Sequence, residues 1–166
     1  TGTKDATTFL RGDNTFASAG GTNTPNFSAT NSTLQTLSSS TNTKLNFSIE
    51  TYDSDNCYDT STSRFTPTVA GKYVFFGGTG FQSFASGGRF ILYKNGSEYH
   101  RVMFYSVNPS GGGGGPLSSA SLDVTAISDT DDYFEIYVYQ SSGARHVRGT
   151  THSTGSYFSA FKLAGA

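Results

Sequence analysis

The stretch Phe47–Gly77, "FSIETYDSDNCYDTSTSRFTPTVAGKYVFFG", decides how the rest of the chain reads. Its last third is a strand entered through a turn. Gly71 follows Ala70, and Tyr73 and Phe75 stand two residues apart, so they share one face. Phe47 and Phe65 are spaced to pack on that same face, which makes these aromatics core rather than a ligand box. The first half is different in kind. Asp53, Asp55, Asn56 and Asp59 crowd an oxygen-rich loop with the lone cysteine, Cys57, among them.

Working outward, period-two patterns recur on both sides. "KLNFSI" puts Leu45, Phe47 and Ile49 on one face of an expected strand. "GGRFILYKNGSEYHRVMFYSV" reads as a hairpin with Asn95-Gly96 at its tip, a pair suited to a type I′ turn because both positions take positive φ. In "SASLDVTAI", Leu122, Val124 and Ala126 face in while Ser121, Asp123 and Thr125 face out. "DDYFEIYVYQSS" has Phe134, Ile136 and Val138 on a core face. Tyr133, Tyr137 and Tyr139 lie opposite, an amphipathic face suited to a subunit interface. "SYFSAFKL" is the last expected strand. Upstream, "GGTNTPNFSATNSTLQTLSSSTNT" is nearly low-complexity, and "NFSAT" within it reads as a short edge strand. No stretch has helical period. Several short strands joined by Gly-rich turns make an all-β sandwich or jelly roll, with residues 1–24 an N-terminal arm and 25–166 the domain.

Composition narrows the class. The 166 residues are 34% hydrophobic and 14% charged, leaving a surplus of Ser, Thr, Asn and Gly that suits a loop-rich extracellular β protein. A net charge of −1 gives no basic surplus for nucleic acid. No apolar run is long enough for a transmembrane helix, so no membrane insertion is expected. One cysteine forbids an internal disulfide and a cysteine-based zinc framework, and reads as a small structural thiol. The sequence begins at Thr1 and not at Met, as in a processed product or a piece of something longer.

The spacing of the opening stretch resembles the signature of the C1q/TNF-like family. Phe47 is followed after five residues by Asp53, after four more by Tyr58, after six by Phe65 and after five by Gly71, then Tyr73 and Phe75. Gly77 stands where the family has an aromatic, which implies a bend or a different inner packing there. "LYKNGS" resembles the family's Lys-Asn-Gly hairpin, and "SYFSAFKL" its terminal strand, with Ala160 for Gly and Lys162 for an apolar residue. The resemblance spans about residues 25 to 164. It implies a ten-stranded jelly roll that assembles as a compact homotrimer. "ATTFLRGDNTFAS" is in turn similar to a "FLRGDGTW" segment recurrent in bacteriophage tail fibres, where it links a trimeric stem to a following domain; Asn14 and Phe16 replace Gly and Trp here. In that context Arg11-Gly12-Asp13 reads as turn chemistry rather than an integrin tag, with Leu10 and Phe16 tucked into the stem.

Chemistry is weighed residue by residue. No Gly-x-Ser-x-Gly elbow and no His-Glu-x-x-His is present, and the carboxylates cluster in loops, so no enzyme is expected. Asp53, Asp55 and Asp59 could hold calcium, and the family resemblance favours it, although Asp53 also suits a turn that caps backbone N–H groups. Arg145, His146, Arg148 and His152 read as one loop before the last strand. With Tyr99, Arg101 and Tyr105 they could bind sugars or lipopolysaccharide phosphates. Gly111–Gly115 is either a plain exposed loop or one that adapts to a target surface. The expectation is a non-catalytic trimeric module of a bacteriophage particle, a tail-fibre head or capsid decoration. It would join other virion proteins through its arm and bind host-surface glycans through loops. A bacterial spore-coat protein and a secreted C1q-like recognition protein are the alternatives.

Overall fold

The computed structural model describes residues 8–10, 12–18, 23–82, 87–104, 119–141, 143, 145–149 and 155–164. Among them there is strand, turn and irregular chain, and no helix. Strands β1 (Thr8–Leu10) and β2 (Phe16–Ser18) form a separate two-stranded hairpin. A six-stranded sheet contains β5 (Thr41–Lys44), β7 (Tyr58–Asp59), β8 (Arg64–Phe65), β10 (Gly88–Lys94), β11 (Ser97–Phe104) and β13 (Phe134–Gln140). A seven-stranded sheet contains β3 (Asn26–Thr30), β4 (Gln35–Leu37), β6 (Ile49–Asp53), β9 (Gly71–Gln82), β12 (Ser119–Ser128), β14 (Arg145–Val147) and β15 (Tyr157–Lys162). All pairings are antiparallel. The 12-residue β9 is the spine of its sheet, with β12 along one edge and β15 and β14 along the other.

The core is aromatic and lies between the two sheets. From β9, Tyr73, Phe75 and Phe81 point inward and are fully buried, as are Phe27, Phe47, Phe65, Phe90, Phe134 and Phe158. The Phe27 ring stacks on Tyr58 at 4.6 Å and on Phe65 at 4.5 Å, and meets Phe158 edge-on at 4.9 Å. Phe75 reaches Phe134 across the sandwich at 4.3 Å. Burying each such ring contributes about 1.5–3 kcal/mol, so the aromatic spacing read from the opening stretch is the spacing of the core. The architecture is the expected C1q/TNF-like jelly roll.

Gly77 points inward like Tyr73 and Phe75. A Cβ there would lie 3.0 Å from Phe90 Cε1 and 3.5 Å from Ile136 Cδ1. The room that an aromatic would occupy is filled from the opposite sheet by Phe90. The packing differs, as the missing aromatic implied, and β9 runs through the position paired on both edges.

The Asn95-Gly96 tip has φ of 52° and 74°, the positive pair of a type I′ turn. It is tied to the turn before β13. Asp132 accepts from Lys94 Nζ at 2.7 Å, Asn95 Nδ2 at 2.6 Å and the Asp129 N–H at 2.7 Å, and Asn95 Oδ1 accepts the Tyr133 N–H at 2.9 Å.

Two local expectations need correction. "NFSAT" is β3, and it lies inside its sheet between β15 and β6 rather than at an edge. Its low-complexity flanks hid a strand whose Phe27 and Ala29 are core. Ile49 does not join Leu45 and Phe47. The chain leaves the six-stranded sheet after Lys44 and enters the other at Ile49, so the alternation breaks and Ile49 is exposed.

Candidate recognition surfaces

The acidic loop is consumed by its own turns. Asp53 Oδ2 accepts the Tyr58 N–H at 2.6 Å and its Oδ1 the Asp55 N–H at 3.3 Å. Asp55 Oδ2 accepts the Ser54 hydroxyl. Asp59 accepts the Ser61 N–H and hydroxyl and the Thr62 hydroxyl, and the Ser61 hydroxyl bond above all lowers its pKa to about 2. Asp53, Asp55 and Asp59 thus each spend carboxylate oxygens on the local turns of this loop. Among the described residues no group of three His, Cys, Asp or Glu side chains gathers as a metal site. Asn56 takes a φ of 53°, as turn residues of its type do. Cys57 is buried beside Thr68, and burial pushes its thiol up, which makes it inert.

Arg145, His146 and Arg148 are not a loop. Arg145 and His146 belong to β14, a strand wedged between β4 and the end of β9, and Arg148 follows directly, its N–H donating to Gly80 O. Strand alternation separates them. Arg145 shares the side of buried Val147 and pairs with buried Leu37, whereas His146 and Arg148 lie on the other side. His146 Nδ1 is 3.1 Å from the Thr36 hydroxyl. His152, Tyr105 and Gly111–Gly115 lie outside the described residues.

Tyr133, Tyr137 and Tyr139 share the outward face of the six-stranded sheet and are half-buried. Their own chain engages them. Arg64 sits 3.8 Å over the Tyr133 ring, Tyr93 packs at 4.1 Å from Tyr137, and Arg89 lies 4.8 Å over Tyr139. Between them is Glu135, whose side chain is only 3% exposed. It accepts from Lys44 at 2.7 Å and from Arg64 at 3.0 Å. Burial alone would raise its pKa, but the bonds from Lys44 and Arg64 outweigh it and hold the carboxyl below its ordinary value.

Sequence reasoning missed the outward face of the seven-stranded sheet. Val74, Phe76 and Phe161 are half-buried there, and Phe76 stacks on Phe161 at 5.8 Å. Around them Tyr52 is 51% exposed, Tyr157 40% and Ile127 63%. The Tyr157 ring lies so close over Gly78 that a Cβ there would collide with it. The signal was legible: "YVFF" is apolar on both faces, as a strand covered on both sides should be.

At the N-terminus, Gly12, Asp13 and Asn14 form the exposed tip of the β1–β2 hairpin, and Leu10 is 57% exposed. Within one chain Leu10 is not tucked away. Asp13 does act as turn chemistry: it accepts the Thr15 hydroxyl at 2.6 Å and N–H at 3.0 Å, and the hydroxyl bond first lowers its pKa.

The chain superposes on murine APRIL with a TM-score of 0.62 at 9% identity, over 83% of this chain and 98% of that one. Eiger TNF from S. frugiperda gives 0.57 at 13%, over 85% and 93%. The globular domain of zebrafish complement 1qA protein gives 0.59 at 16%, over 84% and 97%. These likenesses establish a jelly roll shared with TNF and C1q proteins. The sequence matches no protein-family model and no curated protein.

Proposed function

We propose that this chain is a non-catalytic homotrimeric recognition module, the head of a bacteriophage tail fibre or a capsid decoration, exposed on the virion and binding host-surface glycans. The observation that carries the assembly is the outward face of the seven-stranded sheet. Tyr52, Phe76, Ile127, Tyr157 and Phe161 give it an aromatic and aliphatic surface beyond what an isolated sheet needs. This face, rather than the tyrosine face of β13, is the better contact, because Tyr133, Tyr137 and Tyr139 already have partners in their own chain. The count of three comes from the C1q/TNF resemblance. The phage setting rests on the "FLRGDNTF" segment, whose isolated hairpin is marginal alone and suits a stem built from several copies. Three weak sites on one rigid head would bind a repetitive glycan by avidity.

Sedimentation at micromolar concentration tests the assembly. A mass of about 53 kDa, three times the 17.6 kDa chain, is expected. Ile127→Asp, at an exposed site, should give a folded monomer. A wild-type monomer, or a variant that still assembles, counts against this face.

A further inference from the structure

The outward face of the six-stranded sheet carries several cations, and most are neutralised internally. Lys44 and Arg64 share Glu135, and Arg101 pairs with Glu98 at 3.2 Å. Arg89 differs. Among the described residues it pairs with no carboxylate, and its guanidinium is held over the Tyr139 ring, which fixes its position without neutralising its charge. In the sheet register Arg89 lies between Met103 and Tyr139. Those three residues, with Gly87, Gly88 and Ser141, line a groove of about 250 Å³. Gly88 itself faces the core, where a Cβ would lie 2.5 Å from Phe104 Cζ and from Tyr139 O, so the strand carries no side chain at this end.

We propose that this groove binds one acidic sugar unit of a glycan. Arg89 meets its carboxylate or phosphate, Met103 and the Tyr139 ring take the C–H face of the pyranose, and Ser141 is a hydroxyl partner. The volume is below the roughly 300–1,000 Å³ of drug-sized pockets, which suits a single ring. A planar guanidinium presents paired N–H donors to a carboxylate or phosphate. This inference rests on the glycan-recognition reading and places the sugar contact on a rigid sheet face rather than in the loops.

The test is an NMR titration of the whole chain with glucuronate, glucose 6-phosphate, neutral glucose and acetate. Glucuronate or glucose 6-phosphate should shift Gly88, the Met103 methyl and Ser141, and whichever is tighter identifies the acid. Glucose and acetate should each bind at least about tenfold more weakly, because each lacks one half of the contact. Arg89→Gln should weaken the acidic sugar about tenfold or more, Arg89→Lys should recover part of it, and Arg101→Gln should change little. Thermal melts confirm that each variant folds. The proposal falls if neither acidic sugar shifts the groove, if acetate equals the sugars, or if Arg89→Gln binds like wild type. Glycan-array binding that survives Arg89→Gln unchanged removes the groove and leaves the recognition role standing. Silence in both array and titration removes both.

Discussion

Exchanging the aromatic across the sandwich should cost clearly less than its two halves summed. Gly77 occupies the family's aromatic position, and Phe90 fills the vacancy from the facing strand. Gly77→Phe alone places a Cβ 3.0 Å from Phe90 Cε1 and 3.3 Å from Cζ, before any ring atom is added. Overpacking of this kind costs about 1–3 kcal/mol, and here the upper end or more. Phe90→Ala alone removes a fully buried ring and costs about 3–5 kcal/mol. Independent effects would sum to about 4–8 kcal/mol. The double variant lets the new ring enter the old ring's space, so a favourable coupling of about 2–3 kcal/mol is expected, the top of the range for contacting residues. Urea unfolding measures it. With a slope of about 2 kcal/mol per molar, that coupling moves the midpoint by about 1 M relative to additivity. Additivity within about 0.5 kcal/mol, or Gly77→Phe tolerated at no cost, would refute the complementary packing.

Two further perturbations probe the polar ties. Asp132→Ala removes the acceptor shared by Lys94, Asn95 and the Asp129 N–H, and should cost about 2 kcal/mol or more in urea unfolding. Asp132 and Glu135 both sit below their ordinary pKa; burial opposes this, and hydrogen bonds led by Lys94 and by Lys44 overcome it. Depressed carboxylates stabilise fully above the unfolded value of about 4 and lose that contribution as pH falls through the folded value. The urea midpoint should therefore hold from pH 7 to 5 and drop below about pH 4, and Glu135→Gln should flatten part of that drop while lowering the plateau. An unchanged acid slope would show that the Lys44–Glu135–Arg64 tie contributes nothing.

Strand positions that obey one period over an unbroken strand were readable directly. Leu122 to Ala126, Phe134 to Val138 and Tyr73 to Phe75 all point as their alternation requires. Failures cluster where the chain changes partner. Ile49 was misplaced because the switch between sheets lies just before it. Arg145 and His146 looked like one basic loop because a three-residue strand carries too little pattern to announce itself, and it puts neighbours on opposite sides. The acidic loop was legible as polar turns but ambiguous as a site, since a carboxylate that caps backbone N–H groups and one that binds a cation share a composition. Arg89 was silent for another reason: its lack of a counter-charge among the described residues depends on which carboxylates the fold gives to Lys44, Arg64 and Arg101.

The place of β15 bears on how the chain reaches this state. It lies between β3 and β9, so residues near 27, 75 and 160 must meet before the seven-stranded sheet has an interior. The β10–β11 hairpin closes through its own Asn-Gly turn and needs no distant segment. Such a division separates a fast local event from a slow one that waits for β15 to be synthesised. During synthesis the inner edge of β9 opposite β12 stays unpaired, with Phe75 and Phe81 beside it. A nascent chain lacking Tyr157–Lys162 should therefore be a target for chaperones and a source of aggregation, and the emergence of β15 is the step that commits the domain to the fold.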